Sequence, residues 1–270
     1  MRYKNRAGTL IVKETGQDKF LRFLYGRRAG RLLLRLLITR PVTRICACAF
    51  RTRFSAFFIK GFVKKNSIDM SQYEERKYAS YNDFFTRRIR EGQRPAAHSP
   101  DVLISPCDGK ATAFKIDEAT RFTVKNTVYT VSSLLKNKEL AAQFHGGICV
   151  IIRLTVDDYH RYCYIDEGVK GENIYIPGVF HTVNPAAAEH APIYQENCRE
   201  YTVIDTIRFG RMIHLEVGAL LVGKIVNYHG AAYQTHRGEE KGRFEFGGST
   251  VILLFQKNKV EISPDILMLS

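Results

Sequence analysis

A serine, two histidines and an aspartate stand in four separate short motifs of this 270-residue chain, each among turn residues. Asp108 lies in Ser105-Pro106-Cys107-Asp108-Gly109, His160 follows Asp157-Asp158-Tyr159, His181 opens out of Phe180-His181-Thr182-Val183-Asn184-Pro185, and Ser249 completes Gly247-Gly248-Ser249-Thr250. A hydroxyl, an imidazole titrating near neutral pH and a carboxylate are the parts of a nucleophile, a proton carrier and an orienting group. Taken singly, each reads as structure, since Asp-Gly is ordinary turn chemistry and a His after a strand needs no catalytic role. Taken together they admit a serine hydrolase, although residues 247–251, GGSTV, lack the G-x-S-x-G elbow of that fold.

The Gly-Gly-Ser step admits a different reaction. Two glycines tolerate strained dihedrals and leave the Gly248 carbonyl unshielded. A Ser249 hydroxyl activated by a nearby imidazole can attack that carbonyl and turn the amide into an ester. Elimination across Cα–Cβ of Ser249 then releases the upstream chain, and the dehydroalanine left behind hydrolyses to a ketone. The chain would thereby make its own pyruvoyl group, able to form a Schiff base with an amine and to accept electrons from an adjacent breaking bond. Such chemistry suits amino-acid decarboxylation.

The elements that must hold these residues fall into two parts. From about residue 101 the segments are short, β-branched and punctuated by turn residues: VLISP, KATAFKI, FTVKNTVYTV, GGICVIIRLTV, ENIYIPGVF, EYTVIDTI, RMIHLEVGALLVGKIVNY and STVILLFQ. They predict a β-rich catalytic domain, sandwich or barrel-like, within an α+β chain. Ahead of it, SQYEERKYASYNDFFTRRI reads as helix, ending at Glu91-Gly92-Gln93-Arg94-Pro95, with a change from helical to β-rich sequence near residues 95–100.

The N-terminal quarter carries the charge. Residues 1–65 hold 17 Lys and Arg against 2 acids, whereas residues 66–270 hold 24 against 25. The run FLRFLYGRRAGRLLLRLLITR, residues 20–40, is interrupted by arginines and falls short of the roughly 18 uncharged residues a spanning helix needs. On a helix, Arg27, Arg28, Arg31 and Arg35 share one sector, with Phe23, Tyr25, Leu32, Leu33, Leu36 and Leu37 on the rest. Pro41 breaks that helix, and Phe50, Phe54, Phe57, Phe58 and Gly61 give a second series at helical spacing among Arg51, Arg53, Lys60, Lys64 and Lys65. Two basic amphipathic helices over residues 1–66 suit an anionic membrane surface. Nucleic acid is set aside, because Leu and Phe fill the opposite faces without an RNA-binding aromatic motif or zinc finger. The six cysteines show no paired metal spacing and read as reduced thiols of a cytosol-facing protein.

Six separated motifs together resemble one family, the phosphatidylserine decarboxylases: YNDFFTRRIREGQRP (81–95), SPCDG (105–109), DYHRY (158–162), FHTVNP (180–185), EVGALLVGKI (216–225) and RGEEKGRFEFGGST (237–250). The resemblance implies a decarboxylase domain over residues 67–270 and self-cleavage between Gly248 and Ser249, giving a β chain, 1–248, and an α chain, 249–270, headed by the pyruvoyl group. It implies conversion of phosphatidylserine to phosphatidylethanolamine and carbon dioxide, with no metal. Asp108 would join an Asp-His-Ser relay for self-processing, Tyr159, Phe84 and Phe85 would line the substrate site, and His160 would serve decarboxylation. The family's second His after Asp-Tyr is Cys163 here. His181 is expected to supply the missing relay imidazole, with His160 serving both steps as the alternative. A homodimer, bound peripherally on the cytoplasmic side of the cell membrane, completes the expectation. The rivals are a lipid-binding scaffold with an inert GGST turn and a serine hydrolase acting on lipids.

Overall fold

The computed structural model describes residues 2–4, 9–12, 21, 23–124, 127–182, 192–219, 224–263 and 266. Strands β1 (Arg2–Lys4) and β2 (Leu10–Val12) pair with each other. Helix α1 (Arg28–Leu37) and helix α2 (Arg40–Arg51) follow, then a 3-10 turn at Arg53–Phe57 and helix α3 (Phe58–Asn66). Leu21, Leu24, Tyr25 and Leu34 turn into the core of the domain. Leu32, Leu36, Phe54 and Phe57 face outward, at 72, 60, 89 and 86% exposure. Among the described residues, no helix is long and apolar enough to cross a membrane.

Two local expectations differ from what forms. Pro41 sits in the first turn of α2 rather than merely ending a helix, because a fixed φ and a missing N–H suit that position. After a 3-10 turn at Met70–Gln72, the stretch to Ile89 holds one short α-helix, α4 (Tyr81–Phe85), capped by the Ser80 hydroxyl on the Asp83 N–H. The rest is extended, with Tyr73 bridged to Ile89 and the Arg87 guanidinium donating to the Tyr73 hydroxyl and the Asp157 carbonyl. Val102–Pro106, read as a strand, is irregular.

Beyond it come β3 (Lys110–Lys115), the ladder of β4 (Arg121–Val124) with β5 (Thr127–Thr130), helices α5 (Val131–Leu135) and α6 (Lys138–Ala142), β6 (Ile148–Leu154), β7 (Arg161–Cys163), β8 (Gly168–Lys170) and β9 (Ile174–Ile176). Helix α7 (Ile193–Glu196) leads into β10 (Arg199–Thr206) and β11 (Arg211–Gly218). The described chain closes with β12 (Ile225–Asn227), β13 (Tyr233–Thr235), β14 (Glu240–Phe244) and β15 (Ser249–Phe255). The main sheet runs β13-β8-β10-β11-β15-β6-β3, with β9 also on β10, and a second sheet runs β12-β14-β7.

Strand period two explains the layering. Ile213, Leu215, Val217, Ile252 and Leu254 point to one face, where α5, α6, α7 and the N-terminal helical residues cover them. Met212, Val251, Leu253 and Phe255 point to the other, under Tyr162 and Phe244 of the second sheet. With both faces buried, β15 and β6 read as near-continuous apolar runs, whereas β11 carries His214 and Glu216 within its run.

Candidate active site

Register brings the chemical motifs to one end of the main sheet. Ser249 opens β15 opposite Gly218 at the end of β11 and Leu154 at the end of β6. Lys110 opens β3 opposite Arg153, so Asp108 and Gly109 emerge at that same end. Gly109 takes φ +146°, and a Cβ there would meet the Arg153 carbonyl oxygen at 2.8 Å. β6 lies between β3 and β15, which puts Asp108 two strand spacings, roughly 10 Å, to the side of Ser249.

Ser249 is fully buried, and its Oγ has no hydrogen-bond partner among the described residues. The peptide ahead of it is shaped by Gly247 at φ +132°, a conformation that favours glycine. His160 is also fully buried. Its Nδ1–H donates to the Asp158 carbonyl at 2.9 Å, a contact that assigns the proton to Nδ1 and leaves Nε2 as the lone-pair nitrogen. That Nε2 has no hydrogen-bond partner among the described residues, although the Gly247 backbone lies near enough to favour the charged ring slightly. Burial outweighs this and the Asp158 contact, holding the imidazole pKa down at about 3, so the ring is a neutral base at physiological pH. The His160 carbonyl accepts from the Phe244 N–H at 2.9 Å, tying the histidine to the strand that leads to Gly248.

The other expected residues have different surroundings. Asp108 receives Arg94 Nε at 2.9 Å and Nη2 at 2.8 Å, and no described hydrogen bond joins it to a histidine. His181 has Tyr25 Oη at 3.1 Å from Nδ1 and a Glu196 carboxylate oxygen at 3.1 Å from Nε2, so both ring nitrogens are already engaged. Burial lowers its pKa against the pull of Glu196. Val183, Asn184 and Pro185 of its motif, and Leu220–Gly223 of the EVGALLVGKI motif, lie outside the described residues, as do Phe20 and Arg22 of the first helical run. Cys163 places Sγ 3.9 Å from the Ser105 carbonyl, and burial pushes its thiol up to about 12, which makes it a poor proton carrier. Phe85 packs its ring 4.1 Å from the His160 ring. Phe84 turns instead toward Tyr78 and Tyr81, and Tyr159 toward Tyr73.

Three positions escaped the sequence reading. Asn197 donates to the carbonyls of both His181 and Gly218, at 2.8 and 2.7 Å, linking that loop to the residue opposite Ser249. Glu216 and Lys241, both fully buried, pair at 2.6 Å beneath the second sheet. Their signal was legible as a carboxylate inside the apolar run RMIHLEVG and a lysine in the motif preceding the glycines, but neither shows its partner in sequence.

A family model described as phosphatidylserine decarboxylase matches residues 81–267. A relative from Clostridium acetobutylicum, phosphatidylserine decarboxylase proenzyme 2, is 45% identical over 92% of this chain and 84% of its own length. Relatives named phosphatidylserine decarboxylase proenzyme occur in Clostridium tetani, 36% identical over 99% of this chain and 92% of the relative, and in Clostridium novyi, 34% identical over 95% and 88%.

Proposed function

The chain belongs to the phosphatidylserine decarboxylase family of carboxy-lyases, and from that premise we propose that it makes its own catalytic group by cutting between Gly248 and Ser249. The observation that carries the reading is the pair of buried, unpartnered atoms, Ser249 Oγ and His160 Nε2, at the start of β15 behind two glycines. A hydroxyl without a partner in the folded chain keeps its lone pairs free for attack, and a neutral imidazole nitrogen without a partner is free to take the proton.

In this scheme Ser249 Oγ attacks the Gly248 carbonyl carbon, its proton passes to His160 Nε2 and from there to the departing amide nitrogen, which becomes a free amine as the ester forms. Loss of the Ser249 Cα proton expels the Gly248 carboxylate, and water then replaces the nitrogen, which departs as ammonia. The resulting pyruvoyl carbonyl supplies an electron sink for the headgroup amine. His160 holds and returns the proton, replacing the carboxylate lost as carbon dioxide. His181, expected in the relay, is assigned instead to holding its loop through Tyr25 and Glu196. Asp108, anchored by Arg94, fixes the mouth of the sheet end, and Phe85 shields the imidazole from water. Cleavage leaves the α chain in place, because β15 pairs with β11 on one side and β6 on the other.

Peripheral binding to an anionic cytoplasmic membrane face is part of the reading, supported by the outward Leu32, Leu36, Phe54 and Phe57 in the basic N-terminal quarter. A homodimer is carried over from the family likeness. Intact-mass spectrometry of the purified chain tests the core claim. Two chains with a carbonyl-blocked N-terminus on the smaller one are expected from the wild type, and one intact chain from Ser249→Ala. A wild-type chain of 30.9 kDa that stays uncut yet releases carbon dioxide from phosphatidylserine vesicles would refute it.

A further inference from the structure

Between the end of β14 at Phe244 and the start of β15 at Ser249 lie Glu245, Phe246, Gly247 and Gly248, the acyl side of the bond read above as scissile. One main-chain contact, Glu245 N–H to the Lys224 carbonyl at 2.9 Å, ties this span to its sheet neighbour. Other anchors come from the N-terminal part of the chain. Arg51, the last residue of α2, donates Nη2 to the Glu245 carboxylate. The Phe50 ring lies 4.0 Å from the Phe246 ring, and the Phe246 N–H donates to Asn82 Oδ1 at 3.0 Å. Tyr81 and Phe85 close the cluster at 5.1 and 5.2 Å from Phe246, and Phe85 touches His160 on its far side. The turn after α2 is fastened to α4 by the Tyr81 N–H donating to Ser55 Oγ at 2.8 Å.

We propose that Phe50 and Arg51 are positioning residues for self-cleavage, gripping Phe246 and Glu245 so that the Gly248 carbonyl is held against the Ser249 hydroxyl. Two successive glycines give the span wide backbone freedom, and attack needs the reacting atoms held near 3 Å and aligned, where an error of about 1 Å can slow a reaction about 100-fold. The grip is placed where it restricts that freedom: on the two residues immediately before the glycines. The inner side of residues 50–58 thus serves the processing site, while Phe54, Phe57 and Phe58 on its outer side remain exposed.

This inference rests on the reading of Ser249 as the nucleophile, and its test separates the two. Self-cleavage of the full chain is followed by denaturing gel and intact mass for wild type, Phe50→Ala, Phe50→Leu, Arg51→Glu, Glu245→Arg and the double variant Arg51→Glu/Glu245→Arg. We expect the two single charge reversals to slow cleavage about 3- to 10-fold, Phe50→Ala to slow it more than about 10-fold and Phe50→Leu to retain most of the rate. The double variant, which restores the ion pair with its charges exchanged, is expected to recover most of the wild-type rate. Melting of the same variants in a Ser249→Ala background tests whether they fold equally. Cleavage of all variants at the wild-type rate overturns the proposal alone, as does a double variant no faster than its slower parent, or a melting loss that parallels the slowing. An uncut wild type overturns the Ser249 reading and this one with it.

Discussion

Two buried polar clusters share one face of the main sheet, two residues apart along the same strands. Glu216 stands opposite Val251, and Gly218 opposite Ser249. Around Glu216 the groups are matched: Lys241 donates to it at 2.6 Å, Asn227 at 3.3 Å, and Asn227 also donates to Glu200 at 2.7 Å and accepts from Tyr162 at 3.2 Å. His214 is the exception on this side: its Nδ1 sits 2.7 Å from Glu216 without the alignment of a hydrogen bond, and neither ring nitrogen has a hydrogen-bond partner among the described residues. About 7 Å along the strand, Ser249 Oγ and His160 Nε2 have no hydrogen-bond partner among the described residues. Buried polar groups are ordinarily satisfied, so the first cluster, His214 apart, does what the physics of a fold demands and the second withholds it. The contrast sets a matched network that ties the strands together against an unmatched one at the proposed reaction centre.

The strongest way to break that comparison is to unpair the matched side. Burial raises the Glu216 carboxyl, but Lys241 and then His214 pull it below its ordinary range. Lys241→Ala, in the uncut Ser249→Ala chain, strands that carboxylate and is expected to lose about 3–5 kcal/mol in denaturant unfolding. The sign of its pH dependence follows. A depressed carboxyl contributes stability above its unfolded pKa, near 4.5, and loses it in acid, whereas a stranded one has a raised pKa and opposes folding once ionised. The deficit of Lys241→Ala therefore widens from pH 4 to pH 8. A deficit below about 1 kcal/mol, or one that narrows with pH, would show that the pair is not what holds β14 against β11.

His160 sharpens the other side. Its folded pKa, about 3, lies below the unfolded value of 6.5, so the unfolded chain takes up a proton that the native site refuses. Stability is undiminished above pH 6.5 and declines as pH falls from there toward 3. His160→Gln is expected to remove a loss on the order of 2–4 kcal/mol between pH 7 and pH 4. Melting of the uncut Ser249→Ala chain with and without His160→Gln across that window measures it, and parallel curves would mean that the ring protonates freely in the fold.

How much of this was visible in sequence depends on the range of the interactions. The apolar runs at 148–154, 211–218 and 249–255 announced central strands, since burial on two faces writes itself into consecutive residues. The motifs holding Ser249, His160 and Phe85 were legible through local spacing. The engagement of the His181 ring was not, because Tyr25 is 156 residues from His181. Nor was the grip of Arg51 on Glu245, 194 residues apart. The short helix at Tyr81–Phe85 was overread for a related reason: aromatic residues of helical spacing satisfied a tertiary cluster instead of a helix face.

The smallest expected effect gives the finest test of the contrast. Thr250 points to the opposite sheet face from Ser249, opposite Val217 and Arg153, and its hydroxyl is buried without a partner among the described residues. It is not placed to attack Gly248, so it separates the burden of an unmatched hydroxyl from the chemistry of one. An unsatisfied buried hydroxyl costs about 1–3 kcal/mol, part of which the fold recovers when the group becomes a methyl of similar shape. Thr250→Val in the uncut Ser249→Ala chain is therefore expected to be neutral or to gain up to about 1 kcal/mol, raising the melting temperature by a few degrees at most. The same hydroxyl removal on the matched side, Tyr162→Phe, takes a donor from Asn227 and is expected to lose about 1 kcal/mol instead. If both substitutions destabilised the chain equally, Thr250 would be a satisfied structural residue, and the sheet end around Ser249 would be built like the rest of the core.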